Sequence, residues 1–236
     1  MRFLTCQFTD PGGRSPNEDS VGYFTSGKFS AWIAADGLGG HESGEIASSE
    51  AVRSLETILS DCTSMDREYV EDVFHRLNKD ILALNGPLTT AVCAFSDGKK
   101  LYYGNNGDSR FLFIRSKNII CHTNDHSLAY VAYSTGSISY DEIAEHPAQN
   151  RLFHSLGTED NFSGEFYPTL DLKPGDAFLL CTDGFWELIS NEEILRTLNI
   201  STSPQEWLSM MLDIVQSRLI KTSDNYSAVC VMVKED

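Results

Sequence analysis

Carboxylates recur in this chain at points where apolar runs begin or end. Glu18 and Asp19 stand just before the run 20–25, and Asp36 closes the run 29–35 as Ala34-Ala35-Asp36-Gly37. Thr25-Ser26-Gly27-Lys28 joins the two runs in the manner of a hairpin. Antiparallel pairing about a turn at 26–27 sets the start of one strand beside the end of the other, so Asp19 and Asp36 are predicted neighbours. The C-terminal half repeats the pattern. The apolar run 177–182 ends in Asp183-Gly184, and Asp224-Asn225 precedes the run 227–233. If those runs are antiparallel neighbours, Asp183 and Asp224 also meet at a sheet end, and the two acidic pairs could share one site.

Carboxylates held that close repel one another unless a cation lies between them. Hard divalent ions take oxygen ligands, and Mg²⁺ usually takes one or two carboxylates and keeps several waters. No Cys/His cluster has zinc spacing, which makes zinc the weaker expectation. The glycines after Asp36 and Asp183 let the backbone turn sharply, so that a carbonyl can approach a metal. Taken singly, Asp-Gly is a common turn and Asp-Asn a common loop cap. Only the joint arrangement, drawn from distant parts of the chain, points to a metal site.

These acids need strands to hold them. A strand is predicted at 3–9, followed by the Pro/Gly-rich loop TDPGGRSPNED and the hairpin. Helices are predicted at 42–59 and 66–84, each with an apolar stripe, and Asn85-Gly86-Pro87 stops the second. Strands follow at 89–95, 100–105, 110–115 and 118–123. Residues 127–160 are irregular and read as a flap. Strands resume at 163–169 and 176–182, helices at 185–198 and 204–219, and a last strand at 227–233. Helices grouped between runs of strands indicate α+β, with antiparallel sheets packed together and helices outside them. The expectation is a single domain over 1–236.

The 236 residues suffice for one sizeable core. Eighteen Lys and Arg against 34 Asp and Glu give a net charge of −16, which disfavours nucleic acid and anionic membranes as partners. The six cysteines form no C-x-x-C pair and read as buried thiols of a reducing compartment. The start, MRFLTCQFTDPGG, lacks the long apolar stretch of a signal peptide, and no run approaches membrane-spanning length. A cytoplasmic protein, by default a monomer, is expected.

Taken in order, the motifs resemble those of the metal-dependent protein phosphatases, the PPM or type 2C family. Arg14-Ser15-Pro16-Asn17-Glu18-Asp19 is similar to the opening motif. Ala35-Asp36-Gly37-Leu38-Gly39-Gly40-His41, followed by Ser43-Gly44-Glu45, resembles the bacterial form of the second. Thr89-Thr90-Ala91 and the stretch from Gly104 to Arg110 fit the middle motifs, and Asn124-Asp125-His126-Ser127 and His146-Pro147 bracket the flap. Ser155-Leu156-Gly157, Cys181-Thr182-Asp183-Gly184 and Asp224-Asn225 complete the series.

The resemblance implies an α-β-β-α sandwich and a serine/threonine phosphatase using two Mg²⁺ or Mn²⁺ ions. Asp36 would bridge the ions, Asp183 and Asp224 would complete one, and Glu18 with the Gly37 carbonyl would serve the other. Asp19 would orient metal-bound waters, and Asp108 with Asp183 would hold a weaker third ion. Arg14 would grip the substrate phosphate. Hydrolysis would proceed by attack of a metal-bridging hydroxide, on phosphoproteins made by a partner serine/threonine kinase. The sequence departs from the family in two places. Leu38 stands where animal members carry a histidine proposed as general acid, leaving His41 as a candidate for acid, helix-start or phosphate-loop roles. Glu187 stands where many members carry Asp, which puts the third site in question. A catalytically dead binding module and a hydrolase of small phosphate esters are the competing readings.

Overall fold

The computed structural model describes residues 1–38, 43–159 and 163–235. Strand β1 (Arg2–Asp10) leads into the hairpin β2 (Asp19–Ser26) and β3 (Phe29–Asp36), then helices α1 (Gly44–Ser60) and α2 (Arg67–Leu82). Strands β4 (Ala91–Ser96), β5 (Lys100–Asn106), β6 (Arg110–Arg115) and β7 (Asn118–His122) follow, and then the short helix α3 (Leu128–Ser134). After the short strands β8 (Glu165–Phe166) and β9 (Leu170–Asp171) come β10 (Ala177–Cys181), α4 (Asp183–Trp186), α5 (Asn191–Ile200), α6 (Pro204–Arg218) and β11 (Tyr226–Lys234). One sheet runs β1-β11-β10-β6-β7. The other runs β2-β3-β4-β5-β8, with β9 also on β5. The pairings are antiparallel throughout.

The period-two alternation of strand residues sorts side chains into layers. In β3, Ala31, Ile33 and Ala35 face outward against Leu55 and Ile58 of α1 and Phe74 and Leu77 of α2. Trp32 and Ala34 face inward, where they meet Phe111, Phe178, Leu180, Val229 and Val231 between the sheets. Trp32 stands edge-on to Phe178 with ring centroids 5.0 Å apart. On the far side, Leu179, Cys181, Ala228 and Cys230 pack under Phe185, Trp207, Met211 and Val215. This is the expected α+β sandwich. The cysteines are free thiols. Among the described residues no helix is long and apolar enough to cross a membrane.

Local chemistry sets the element ends. Asp66 caps α2 by accepting the Tyr69 N–H at 2.8 Å, and Ser203 with Pro204 starts α6. Two predicted elements are divided. The span 163–169 is not one strand, because Pro168 has no N–H for the ladder and falls between β8 and β9. The span 185–198 is two helices. Ser190 accepts the Glu193 N–H at 3.3 Å, and the Glu193 carboxylate accepts the Ser190 N–H at 3.0 Å. That capping box starts α5 afresh.

Candidate active site

The same alternation carries the acids to one place. Asp19 and Asp36 are direct register partners across the β2–β3 hairpin. Asp36 has the parity of Trp32 and Ala34, so it points to the space between the sheets. On the opposing sheet, β10 and β11 are antiparallel neighbours with Cys181 opposite Ala228. Thr182 continues the inward face of Phe178 and Leu180, and Ser227 that of Val229 and Val231. Both hydroxyls donate to Asp19 Oδ2 at 2.7 Å, which ties the two sheets together at their open end.

Close backbone packing places the remaining acids. A Cβ on Gly184 would lie 2.2 Å from the Asn225 carbonyl oxygen and 3.2 Å from Asp224 Cβ, so only glycine lets the loops holding Asp183 and Asp224 touch. Asn225 Oδ1 accepts the Glu18 N–H at 2.8 Å, and its Nδ2 donates to the Pro11 carbonyl at 2.9 Å. The Asp36 carbonyl accepts the Thr90 N–H at 2.7 Å and the Thr89 hydroxyl at 2.8 Å, while its N–H donates to Thr90 Oγ1 at 3.1 Å. Thr90 in turn meets the Ser109 hydroxyl at 2.7 Å beside Asp108.

Arg14, Glu18, Asp36, Gly37, Asp108, Asp183 and Asp224 line one cleft of about 830 Å³. Asp19 lies buried behind them. Arg14 stands at the mouth, where its Nη2 donates to Asp224 Oδ2 at 2.9 Å, leaving other guanidinium donors to face the cleft. His41 lies outside the described residues. The opposite wall comes from 150–155 and Thr158. No sequence motif singles out Arg151 or His154 as site residues. Gln149, likewise in no motif, reaches toward Asp183 Oδ2 at 3.5 Å. The signal for them was weak, because they sit on an irregular segment with no periodicity.

The electrostatics are those of crowded acids. Burial, followed by the charges of Asp183, Asp19, Asp108 and Asp224, holds the Asp36 carboxyl well above the usual carboxylate range. Burial and then Asp183 do the same to Asp108. Asp183 is pushed up to about 6 by burial and then by Asp224, against the pull of the Gly184 N–H. Burial lifts Asp19 to about 7 in spite of its two hydroxyl donors. Glu187 is lifted to about 8 by burial, then by the charges of Asp183 and Asp224.

The donor set suits a hard divalent cation: carboxylate oxygens and the Gly37 carbonyl. Gly37 does not make the sharp turn expected of it but pairs with Thr89 in an antiparallel bridge, and its missing side chain is needed because a Cβ there would lie 2.2 Å from the Gly44 carbonyl oxygen. Among the described residues Asp19 Oδ1 and Asp108 Oδ1 are buried without a hydrogen-bond partner, a costly arrangement that a cation or its water shell would relieve. Among the described residues no three Asp, Glu, His or Cys side chains close into a ready-made cage. A Mg²⁺-like ion that keeps several waters needs only one or two of them.

The family model described as protein phosphatase 2C matches residues 12–218. The serine/threonine phosphatase stp of Listeria innocua is 32% identical over 206 residues, which are 80% of this chain and 81% of that one. The crystal structure of serine/threonine phosphatase Stp1 from Staphylococcus aureus superposes with a TM-score of 0.89 at 25% identity, covering 100% of this chain and 96% of the other. The catalytic domain of the serine/threonine protein phosphatase PstP, crystallised with 2 manganese ions, gives a TM-score of 0.80 at 25% identity, with 99% of each chain covered.

Proposed function

The chain belongs to the protein phosphatase 2C family, and on that footing we propose that its acid-lined cleft removes phosphate from phosphoserine and phosphothreonine in proteins. The enzyme is a metal-dependent protein serine/threonine phosphatase. The observation that carries the assignment to this cleft is the position of Asp36. The charges of Asp19, Asp108, Asp183 and Asp224 all bear on its carboxyl, though they come from separate loops and strand ends.

In this reading Asp36 would be shared by two Mg²⁺ or Mn²⁺ ions, Asp183 and Asp224 would help hold one of them, and Glu18 with the Gly37 carbonyl would help hold the other. The bound ions supply Lewis acidity at the phosphoryl group and a nucleophile at neutral pH. Asp19, fixed by Thr182 and Ser227, orients water beside them. Arg14 turns its free donors to the equatorial phosphate oxygens while Asp224 anchors one of them. Asp108 and Asp183, with Glu187 nearby, would hold a weaker third ion. Residues 127–160 act as the flap of a single domain spanning 1–236. On a chain of −16, phosphate is recruited by ions and Arg14 instead of by the surface at large. We place the enzyme in the cytoplasm as a monomer, opposing a serine/threonine kinase.

The test is metal-titrated hydrolysis of a phosphothreonine peptide with EDTA as control. Activity should vanish in EDTA, return with Mn²⁺ or Mg²⁺, and be absent from a folded Asp36→Ala protein. EDTA-resistant turnover, or near-normal rates in that variant, would sink the assignment.

A further inference from the structure

Arg151 lines the acid-walled cleft and, unlike six of the chain's ten arginines, is not paired with a carboxylate among the described residues. Arg14, Arg53, Arg67, Arg110, Arg115 and Arg218 each pair with a carboxylate. Among the described residues the Arg151 side chain has no hydrogen bond or ion pair, although acids outnumber bases 34 to 18. A guanidinium presents five donors in a fixed fork that matches carboxylate and phosphate.

Its backbone is nonetheless fixed. The Arg151 carbonyl accepts the Leu128 N–H at 3.0 Å, and its N–H donates to the Ala148 carbonyl at 3.2 Å. An antiparallel bridge joins Ser127 to Leu152, so Leu128 lies across from Arg151 and His126 across from Phe153. The His126 and Phe153 rings pack with centroids 5.7 Å apart, as that register requires. Arg151 and Phe153 therefore lie on the same side of this bridge, with His126 against Phe153. Phe153 is 48% exposed beside Arg151, and Leu128, the first residue of α3, is 46% exposed. Arg151 and Phe153 both line the cleft that holds Asp36 and Asp183.

We propose that Arg151 is a specificity-determining residue. It selects protein segments that carry an anionic side chain a few residues from the phosphoserine or phosphothreonine being hydrolysed, with Phe153 and Leu128 supporting the peptide backbone beside it. The proposal rests on the phosphatase reading of the cleft. An anionic flank would be repelled nearly everywhere else on a chain of this charge, so recognition by Arg151, which has no carboxylate partner among the described residues, gives selectivity by contrast.

The experiment measures kcat/KM for phosphothreonine peptides. The set has a neutral parent, versions with Asp or Lys at each position on either side, and versions with a second phosphothreonine in place of Asp. Ratios are taken within each enzyme, so a general loss of activity cancels. The unaltered enzyme should favour an anionic flank over the neutral parent by about 5-fold at its best position, the size expected of one partly exposed ion pair. The ratio should fall to near unity in Arg151→Ala and invert toward Lys in Arg151→Glu. The carboxylate and second-phosphate arms show which anion is read, because only the one that Arg151 grips loses its advantage in Arg151→Ala. Equal rates on anionic and neutral peptides, or a preference that survives Arg151→Glu, would overturn the proposal. No turnover of any peptide or of p-nitrophenyl phosphate by the unaltered enzyme would remove the phosphatase reading itself, and the proposal with it.

Discussion

Replacing Asp183 by Asn separates what the acidic cluster does for catalysis from what it costs the fold. The metal-free protein holds Asp183 at about 6 against an ordinary 3.8, chiefly through burial and then through Asp224. A carboxyl whose folded-state pKa is raised destabilises the fold fully above that pKa, and the penalty fades as pH falls toward the unfolded value. From 3.8 to about 6, at about 1.4 kcal/mol per unit, the penalty near neutral pH is about 3 kcal/mol. Asp183 is half-buried and its neighbours share the repulsion, so an amide there should recover about half, or about 1.5 kcal/mol. The Gly184 N–H keeps its 2.6 Å acceptor, because an Asn oxygen can replace Oδ1. For a chain of this length that gain corresponds to a Tm rise of about 3 to 6 °C. Calorimetry in EDTA should show the rise at pH 7.5 and most of it gone by pH 4.5. Adding Mn²⁺ should raise the Tm of the unaltered protein by mass action, should raise that of Asp183→Asn far less, and should restore phosphatase activity only to the former. An Asp183→Asn protein no more stable than its parent in EDTA would refute the claim that these carboxylates are held together against their own repulsion.

Other outcomes test the supports of the site. Arg110 and Asp125 are buried and joined at 2.6 and 2.8 Å, with the guanidinium 3.4 Å over the Trp186 ring. Arg110→Met should cost about 3 to 5 kcal/mol by stranding Asp125, while Arg110→Met with Asp125→Leu should recover much of that by denaturant titration. Gly184→Val, whose Cβ would strike the Asn225 carbonyl, should cost about 1 to 3 kcal/mol and remove activity even where the protein still folds. Arg14→Ala should mainly raise KM for phosphopeptides, and an unchanged KM would argue against its phosphate grip.

Much of the site was legible because strands obey a short period. A hairpin with a tight turn leaves little choice of register, so the pairing of Asp19 with Asp36 followed from the spacing of two apolar runs. The pairing that brings Asp183 beside Asp224 was legible only as a condition, since nothing local dictates that β10 and β11 are neighbours. The two divided elements were missed for local reasons. Pro168 interrupts a run that otherwise alternates well, and the Ser190–Glu193 capping box lies inside a segment whose apolar spacing stays helical.

The sequence by itself determined which residues are acidic, which turns they close and the order of motifs that ties the chain to its family. These are properties of neighbours along the backbone, set by turn chemistry and alternation. Tertiary structure alone decided that both acidic pairs open on the same end of the sandwich, that Thr182 and Ser227 reach across to Asp19, and that Arg151 and His154 line the same cleft as the acids. Those outcomes depend on how two sheets pack face to face and on where an irregular segment comes to rest. No residue's local propensity carries that information, because the packing energy is shared over the whole core.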